Sequence, residues 1–208
     1  MPAKPPAAVD WSPALRHLAD IDPRFSPLIE QHGPPTYTPT RDPVLSLARS
    51  IVYQQLSGKA ATTIWNRVLE LYPRRRFPPP RAILDTPDEK LRAAGMSGAK
   101  TAAIKDLARH VVEKRLVPSR LPAATDEEIA AMLLPVRGIG PWSVDMFLMF
   151  ALARPDVLPV GDLGVRKGMQ RHFRLRSLPE PERMRKLAQP WQPYRSVGSW
   201  YMWRVAEM

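Results

Sequence analysis

The chain has 208 residues, enough for one large domain or two small lobes sharing a core, and 44% of them are hydrophobic, a normal globular share. Lys and Arg number 31 against 20 Asp and Glu, and the resulting net charge of +11 points to a polyanionic partner, nucleic acid before others. With no cysteine, disulfides, thiolate metal sites and iron–sulfur clusters are excluded; His17, His32, His110 and His172 lack metal-ligand spacing, and neither a signal-peptide core nor a membrane-length apolar run is present.

The elements read as helices throughout, with no run of alternating strands. Residues 1–40 form a proline-rich segment with one short predicted helix near Ala14–Ile21. "RDPVLSLARSIVYQQLS" then starts a helix with Asp42 as N-cap and Pro43 in the first helical position. Ser57 caps the next predicted helix, to about Leu71, and "YPRRRFPPPR" reads as a basic, solvated connection. "TPDE" (Thr86–Glu89) and "TDEE" (Thr125–Glu128) both have the pattern of a capping box. Between them, Ile104, Leu107 and Val111 build an apolar helix face. Further helices are expected over Pro141–Leu152, Leu163–His172, Pro181–Ala188 and Pro193–Ala206.

The charge surplus gathers late. From Gly161 onward there are ten Lys or Arg against four Asp or Glu. Aromatic residues, Trp200, Tyr201 and Trp203 among them, are interleaved there. This mixture suits phosphates and unstacked bases, and equally suits a core that happens to be aromatic.

Two stretches carry chemistry. In "LLPVRGIGPWS" the turn Val136–Gly140 joins one helix to the next. Gly138 and Gly140 permit positive φ and close backbone approach, and Pro141 presets the following helix. Unpaired N–H groups at such a turn can hold a phosphate without reading sequence; a bare tight turn explains the glycines as well. In "LPVGDLGVRKG", Asp162 taken alone is the N-cap of the helix beginning at Leu163.

Five ordered motifs, "SIVYQQLSGKAA", "GMSGAKTAAIKDLA", "LPVRGIGPWSVDMFLM", "LPVGDLGVRKG" and "WQPYRSVGSWYMWR", resemble the helix-hairpin-helix DNA glycosylases, specifically the 3-methyladenine DNA glycosylase II (alkylpurine) branch. The resemblance runs from about Pro43 to the C-terminus. It implies an all-α helix-hairpin-helix glycosylase fold, two helical lobes around a DNA-binding cleft, without the N-terminal α/β domain of larger relatives. Residues 1–40 would pack on the helical body, and 41–208 would form the glycosylase domain.

The resemblance further implies residue roles. Asp162 matches the catalytic aspartate, and Val136, Arg137, Gly138, Ile139 and Gly140 match the phosphate-binding hairpin. Trp142 and Trp203 fall at aromatic positions of the base pocket, where a third aromatic position is Met146. Gln55, or Leu56 if the register slips by one, matches the wedge that fills the gap left in the duplex. Asp145 reads as a structural or helix-N-terminal charge. Related enzymes that also nick the strand place a lysine where Trp142 stands, so a Schiff base is not expected.

The expected function is monofunctional hydrolytic excision of alkylated purines, such as 3-methyladenine and 7-methylguanine, from duplex DNA. The alternative is a non-catalytic helix-hairpin-helix protein that binds damaged or bent DNA. No metal or organic cofactor is implied for the chemistry; a structural monovalent cation at the hairpin is. Duplex DNA carrying alkylated bases is the expected partner, with no membrane partner. The expected state is a monomer in the bacterial cytoplasm, associated with the nucleoid.

Overall fold

The computed structural model describes residues 9–208, and among these no strand forms. The first eight residues of the proline-rich segment therefore lie outside the described residues. Twelve α-helices and short 3₁₀ turns make up the described chain. They fall into two units, one combining the chain up to Thr40 with Asp145–Met208, the other formed by Arg41–Val144.

The first unit begins with α1 (Ser12–Ile21) and α2 (Phe25–His32). The second unit holds α3 (Pro43–Tyr53), α4 (Gly58–Glu70), α5 (Pro80–Asp85), α6 (Asp88–Ala93), α7 (Gly98–Val112) and α8 (Asp126–Leu133). The division between units falls inside α9 (Pro141–Met146). The first unit then resumes through α10 (Leu163–His172), α11 (Pro181–Leu187) and α12 (Arg195–Glu207).

Local chemistry sets most of these limits. The Asp42 carboxylate accepts the Leu45 N–H at 2.9 Å, with Pro43 in the first turn. Ser57 caps α4. Thr125 and Glu128 form a complete capping box at the start of α8. The box expected at Thr86–Glu89 is absent. Pro87 takes the N-cap position of α6, and the Thr86 hydroxyl instead donates to the Ala82 carbonyl at 2.7 Å, closing α5. A threonine held out of the helix by the proline after it finds its nearest acceptor behind it.

Two other expectations are corrected. Helix α2 has no counterpart among the expected elements, which placed one short helix in the proline-rich segment; Pro27 sits in the first turn of α2, where no N–H is needed. The single helix expected over Pro141–Leu152 is α only to Met146. It then widens into a π-turn over Phe147–Ala151, with Leu152 N–H bonded to the Phe147 carbonyl at 3.2 Å. Such turns insert one extra residue and shift the register of the residues beyond them.

The first unit's core joins the N-terminal helices to the C-terminal ones. Trp11, Ala14, Leu18, Phe25 and Leu28 pack with Val165, Met169, Trp191 and Tyr201. Phe25 meets Trp191 and Tyr201 edge-on, at 5.6 and 5.9 Å between centroids. The Tyr201 hydroxyl donates to the Gly33 carbonyl at 2.7 Å. Helices α10 and α12 approach backbone to backbone: a Cβ on Gly168 would lie 1.9 Å from the Met202 carbonyl oxygen. Among the described residues no helix is long and apolar enough to cross a membrane.

Candidate active site

In the first unit, Asp162 is the N-cap of α10, its Oδ1 accepting the Val165 N–H at 2.9 Å. The same oxygen accepts the indole N–H of Trp203 at 2.8 Å. Two donors from different helices thus fix the plane of the carboxylate. Their convergence depends on Gly164, where a Cβ would stand 2.6 Å from Trp203 Cδ1 and 3.1 Å from Asp162 Oδ1. Gly164 and Gly168 are spaced i, i+4 on α10, so one face of that helix is cleared for α12.

Trp203 is only half-buried, and its ring stacks on Phe150 at 5.6 Å with an interplanar angle of 26°. Phe150 is 39% exposed, a large ring kept available to a flat partner. Its other neighbour is Tyr37, edge-on at 5.1 Å, which in turn meets Trp11. Burial pushes the Tyr37 phenol well above its ordinary range, and its hydroxyl has no hydrogen-bond partner. Sequence reasoning missed Phe150. "MFLMF" reads as a buried apolar helix, yet within the π-turn Phe147, Leu148 and Met149 are buried while Phe150 faces out.

Met146 is half-buried. Asp145, beside it, is also half-buried, and no hydrogen bond or ion pair reaches its carboxylate among the described residues. Burial pushes that carboxyl up to about 6. The structural role expected for Asp145 therefore has no partner residue behind it.

In the second unit, the hairpin alternates inward and outward residues. Val136 and Ile139 are buried, at 1% and 5% exposure, while Arg137 and Gly138 face outward. Gly138 has φ +80, a conformation that favours glycine. Three of the hairpin amides are engaged: Val136 N–H to Leu133 O, Ile139 N–H to Val136 O, and Arg137 N–H to the Asp106 carboxylate at 2.9 Å. The amides of Gly138 and Gly140 have no acceptor among the described residues. The hairpin's capacity for an anion thus rests on those two amides and on the exposed Arg137.

The wedge candidates Gln55 and Leu56 are both exposed, in the turn between α3 and α4. Gln55 has φ +55, strained for a residue with a side chain. Gln54, which sequence reasoning passed over, donates its side-chain amide to the Gly138 carbonyl at 3.0 Å. The turn carrying Gln55 and Leu56 is thereby tied to the hairpin within the unit. Trp142, in the first turn of α9, is 45% exposed. The hairpin carbonyls that a monovalent cation would use include Val136 and Gly138, which already accept from Ile139 and Gln54. Each carbonyl keeps a second lone pair that such an ion could use.

A helix, a glycine turn and a second helix, α8, residues 136–140 and α9, make this a helix-hairpin-helix protein. The family model of the HhH-GPD superfamily base excision DNA repair protein matches residues 48–193. The alkylbase DNA glycosidase-like protein mag2 of Schizosaccharomyces pombe is 31% identical over 204 residues, 96% of this chain and 95% of that protein. DNA-3-methyladenine glycosylase 1 of the same organism is 33% identical over 199 residues, covering 92% of this chain and 86% of that protein. The solved structure of S. pombe 3-methyladenine DNA glycosylase Mag1 with abasic DNA superposes with a TM-score of 0.81 at 31% identity, over 95% of this chain and 98% of that one. The chain belongs to the HhH-GPD superfamily of base excision DNA repair proteins.

Proposed function

We propose that the chain is a monofunctional DNA glycosylase that extrudes an alkylated purine from duplex DNA and hydrolyses its N-glycosidic bond. The observation that carries this reading is Asp162, fixed through one oxygen by the Val165 amide and the Trp203 indole, whose ring stacks on the exposed Phe150. The names of the relatives, glycosylases of 3-methyladenine, support the substrate class.

A base inside a duplex is out of reach and must be rotated into a pocket. The Gly138 and Gly140 amides would take a backbone phosphate, and Gln55 or Leu56 would fill the gap in the stack. Alkylation at N3 or N7 leaves a purine cationic, hence a good leaving group. Electron-rich rings such as Trp203 and Phe150, stacked on each other, favour a flat cation. As the glycosidic bond lengthens, positive charge builds on the sugar; the Asp162 carboxylate stabilises it and orients the attacking water. The cationic base leaves neutral with the bonding electron pair, and water supplies the hydroxyl to the sugar and gives up its remaining proton to solvent. The reading calls for no metal or organic cofactor, and we propose that the protein acts as a monomer.

Trp142 offers no amine at the position where strand-nicking relatives would carry lysine, so a Schiff base has no source there. The test is release of free bases from methylated duplex DNA, separated by chromatography. Wild-type protein should liberate 3-methyladenine or 7-methylguanine and Asp162→Asn should not. Equal release by both would overturn the assignment, and binding without release would favour a non-catalytic DNA-binding protein. Borohydride should trap no protein–DNA adduct; a trapped adduct would mean lyase chemistry.

A further inference from the structure

Helix α7 carries Lys100, Ala103 and Asp106 at i, i+3 and i+6, a spacing that keeps all three along one side of the helix. Lys100 donates from Nζ to the carbonyls of Val52 and Gln54, both at 2.7 Å. These carbonyls end α3, immediately before the strained Gln55. Ala103 stands against the hairpin: a Cβ on Gly138 would lie 3.2 Å from the Ala103 methyl. Asp106 accepts the Arg137 amide at 2.9 Å and also pairs with Arg109 at 3.1 Å.

We propose that α7 is a positioning rail, Lys100 setting the wedge turn and Asp106 setting the phosphate hairpin at a fixed separation. The inference rests on the DNA-glycosylase reading for what the two loops do. Gln54 completes the frame, because its carbonyl is held by Lys100 while its side chain holds Gly138. Wedge insertion and phosphate grip must act on one duplex in register, and a helix is stiffer than the two loops it spans. Neither Lys100 nor Asp106 touches the reacting atoms in this scheme.

The charges of the two residues give the test its discrimination. If Asp106 acted only as a negative charge beside DNA, removing it would tighten duplex binding; as a positioner, its loss loosens binding. If Lys100 met a phosphate, its loss would weaken duplex binding; as a positioner of the wedge turn, it leaves that affinity alone.

Two readouts are needed, both independent of base release. Duplex affinity is read by fluorescence anisotropy with undamaged DNA. Wedge insertion is read from 2-aminopurine placed opposite a tetrahydrofuran abasic-site analogue. Lys100→Met should cut the 2-aminopurine response about tenfold with duplex affinity within about twofold of wild type, and Lys100→Arg should restore the response. Asp106→Ala should weaken duplex affinity about tenfold, whereas Asp106→Asn, which keeps an acceptor for the Arg137 amide and loses the charge, should not.

Tighter binding by Asp106→Ala, or loss of both readouts in proportion to a lowered melting temperature, would overturn the proposal. So would wild-type behaviour of Lys100→Met and Asp106→Ala in both assays. If wild-type protein binds duplex but releases no base, the glycosylase reading fails while the Asp106 comparison still decides the rail.

Discussion

The indole N–H of Trp203 and the Val165 amide meet on a single oxygen of Asp162. Trp203, expected only as a wall of the base pocket, thus also orients the carboxylate proposed to act on the sugar. Trp203→Phe keeps a ring to stack on Phe150 and removes the donor. A hydrogen bond to a charged group is worth about 1.5–3 kcal/mol, so the single-turnover excision rate should fall roughly 10- to 100-fold. Affinity for abasic-analogue DNA should change little. An unchanged rate would show that Asp162 keeps its orientation without the indole donor.

Gly164 keeps that contact possible. Gly164→Ala would drive a methyl to within 2.6 Å of the Trp203 ring. Overpacking of this kind costs about 1–3 kcal/mol, and the displaced indole should take the excision rate down with it. Gly168→Ala, whose Cβ would meet the Met202 carbonyl at 1.9 Å, should instead prevent α10 and α12 from closing. Thermal denaturation distinguishes the two: a lowered but cooperative transition for the first, loss of the transition for the second.

Asp145 makes a pH prediction. Its carboxyl is pushed by burial from 3.8 to about 6, so the folded protein holds a proton that the unfolded chain releases. Stability from this group is fully present below about 3.8 and is lost as pH rises through about 6. Asp145→Asn should therefore melt higher than wild type at pH 7.5, by an amount on the order of 1 kcal/mol once solvent screening is allowed for. The difference should vanish near pH 4. A variant that melts lower at pH 7.5 would mean the carboxylate has a stabilising partner.

Gly138 tests the grip from the backbone side. Gly138→Val imposes a branched side chain at φ +80 and sets its Cβ 3.2 Å from Ala103. A left-handed conformation costs roughly 1–2 kcal/mol for such a residue. Duplex affinity should fall about tenfold, alike for damaged and undamaged DNA, because a phosphate contact carries no base information. Wild-type affinity in the folded variant would remove the hairpin as an anchor.

What could be read from the sequence was local. Asp42 with Pro43, Ser57, Thr125 with Glu128 and Asp162 each cap a helix within three residues, and each cap formed. Thr86 misled because its proline neighbour changed the nearest acceptor. The α2 helix lies in the proline-rich segment, with Pro27 in its first turn, where a proline is harmless. The parts of the site that escaped were long-range: Asp106 reaches Arg137 across 31 residues, Gln54 reaches Gly138 across 84 and Trp203 reaches Asp162 across 41. No periodicity announces such pairs, and Lys100 looks like any solvated cation until its two carbonyl partners are known.

The π-turn over Phe147–Ala151 makes the aromatic wall sensitive to chain length rather than to residue type. Deleting one residue there, Met149 for example, would let α9 run on as ordinary helix. It would also swing Phe150 about 100° around the axis, away from Trp203. A substitution trims a side chain; here one lost codon would redirect the whole ring, while leaving the composition of the segment almost as apolar as before. Chain length at this turn, more than side-chain identity, therefore sets where the exposed Phe150 ring stands.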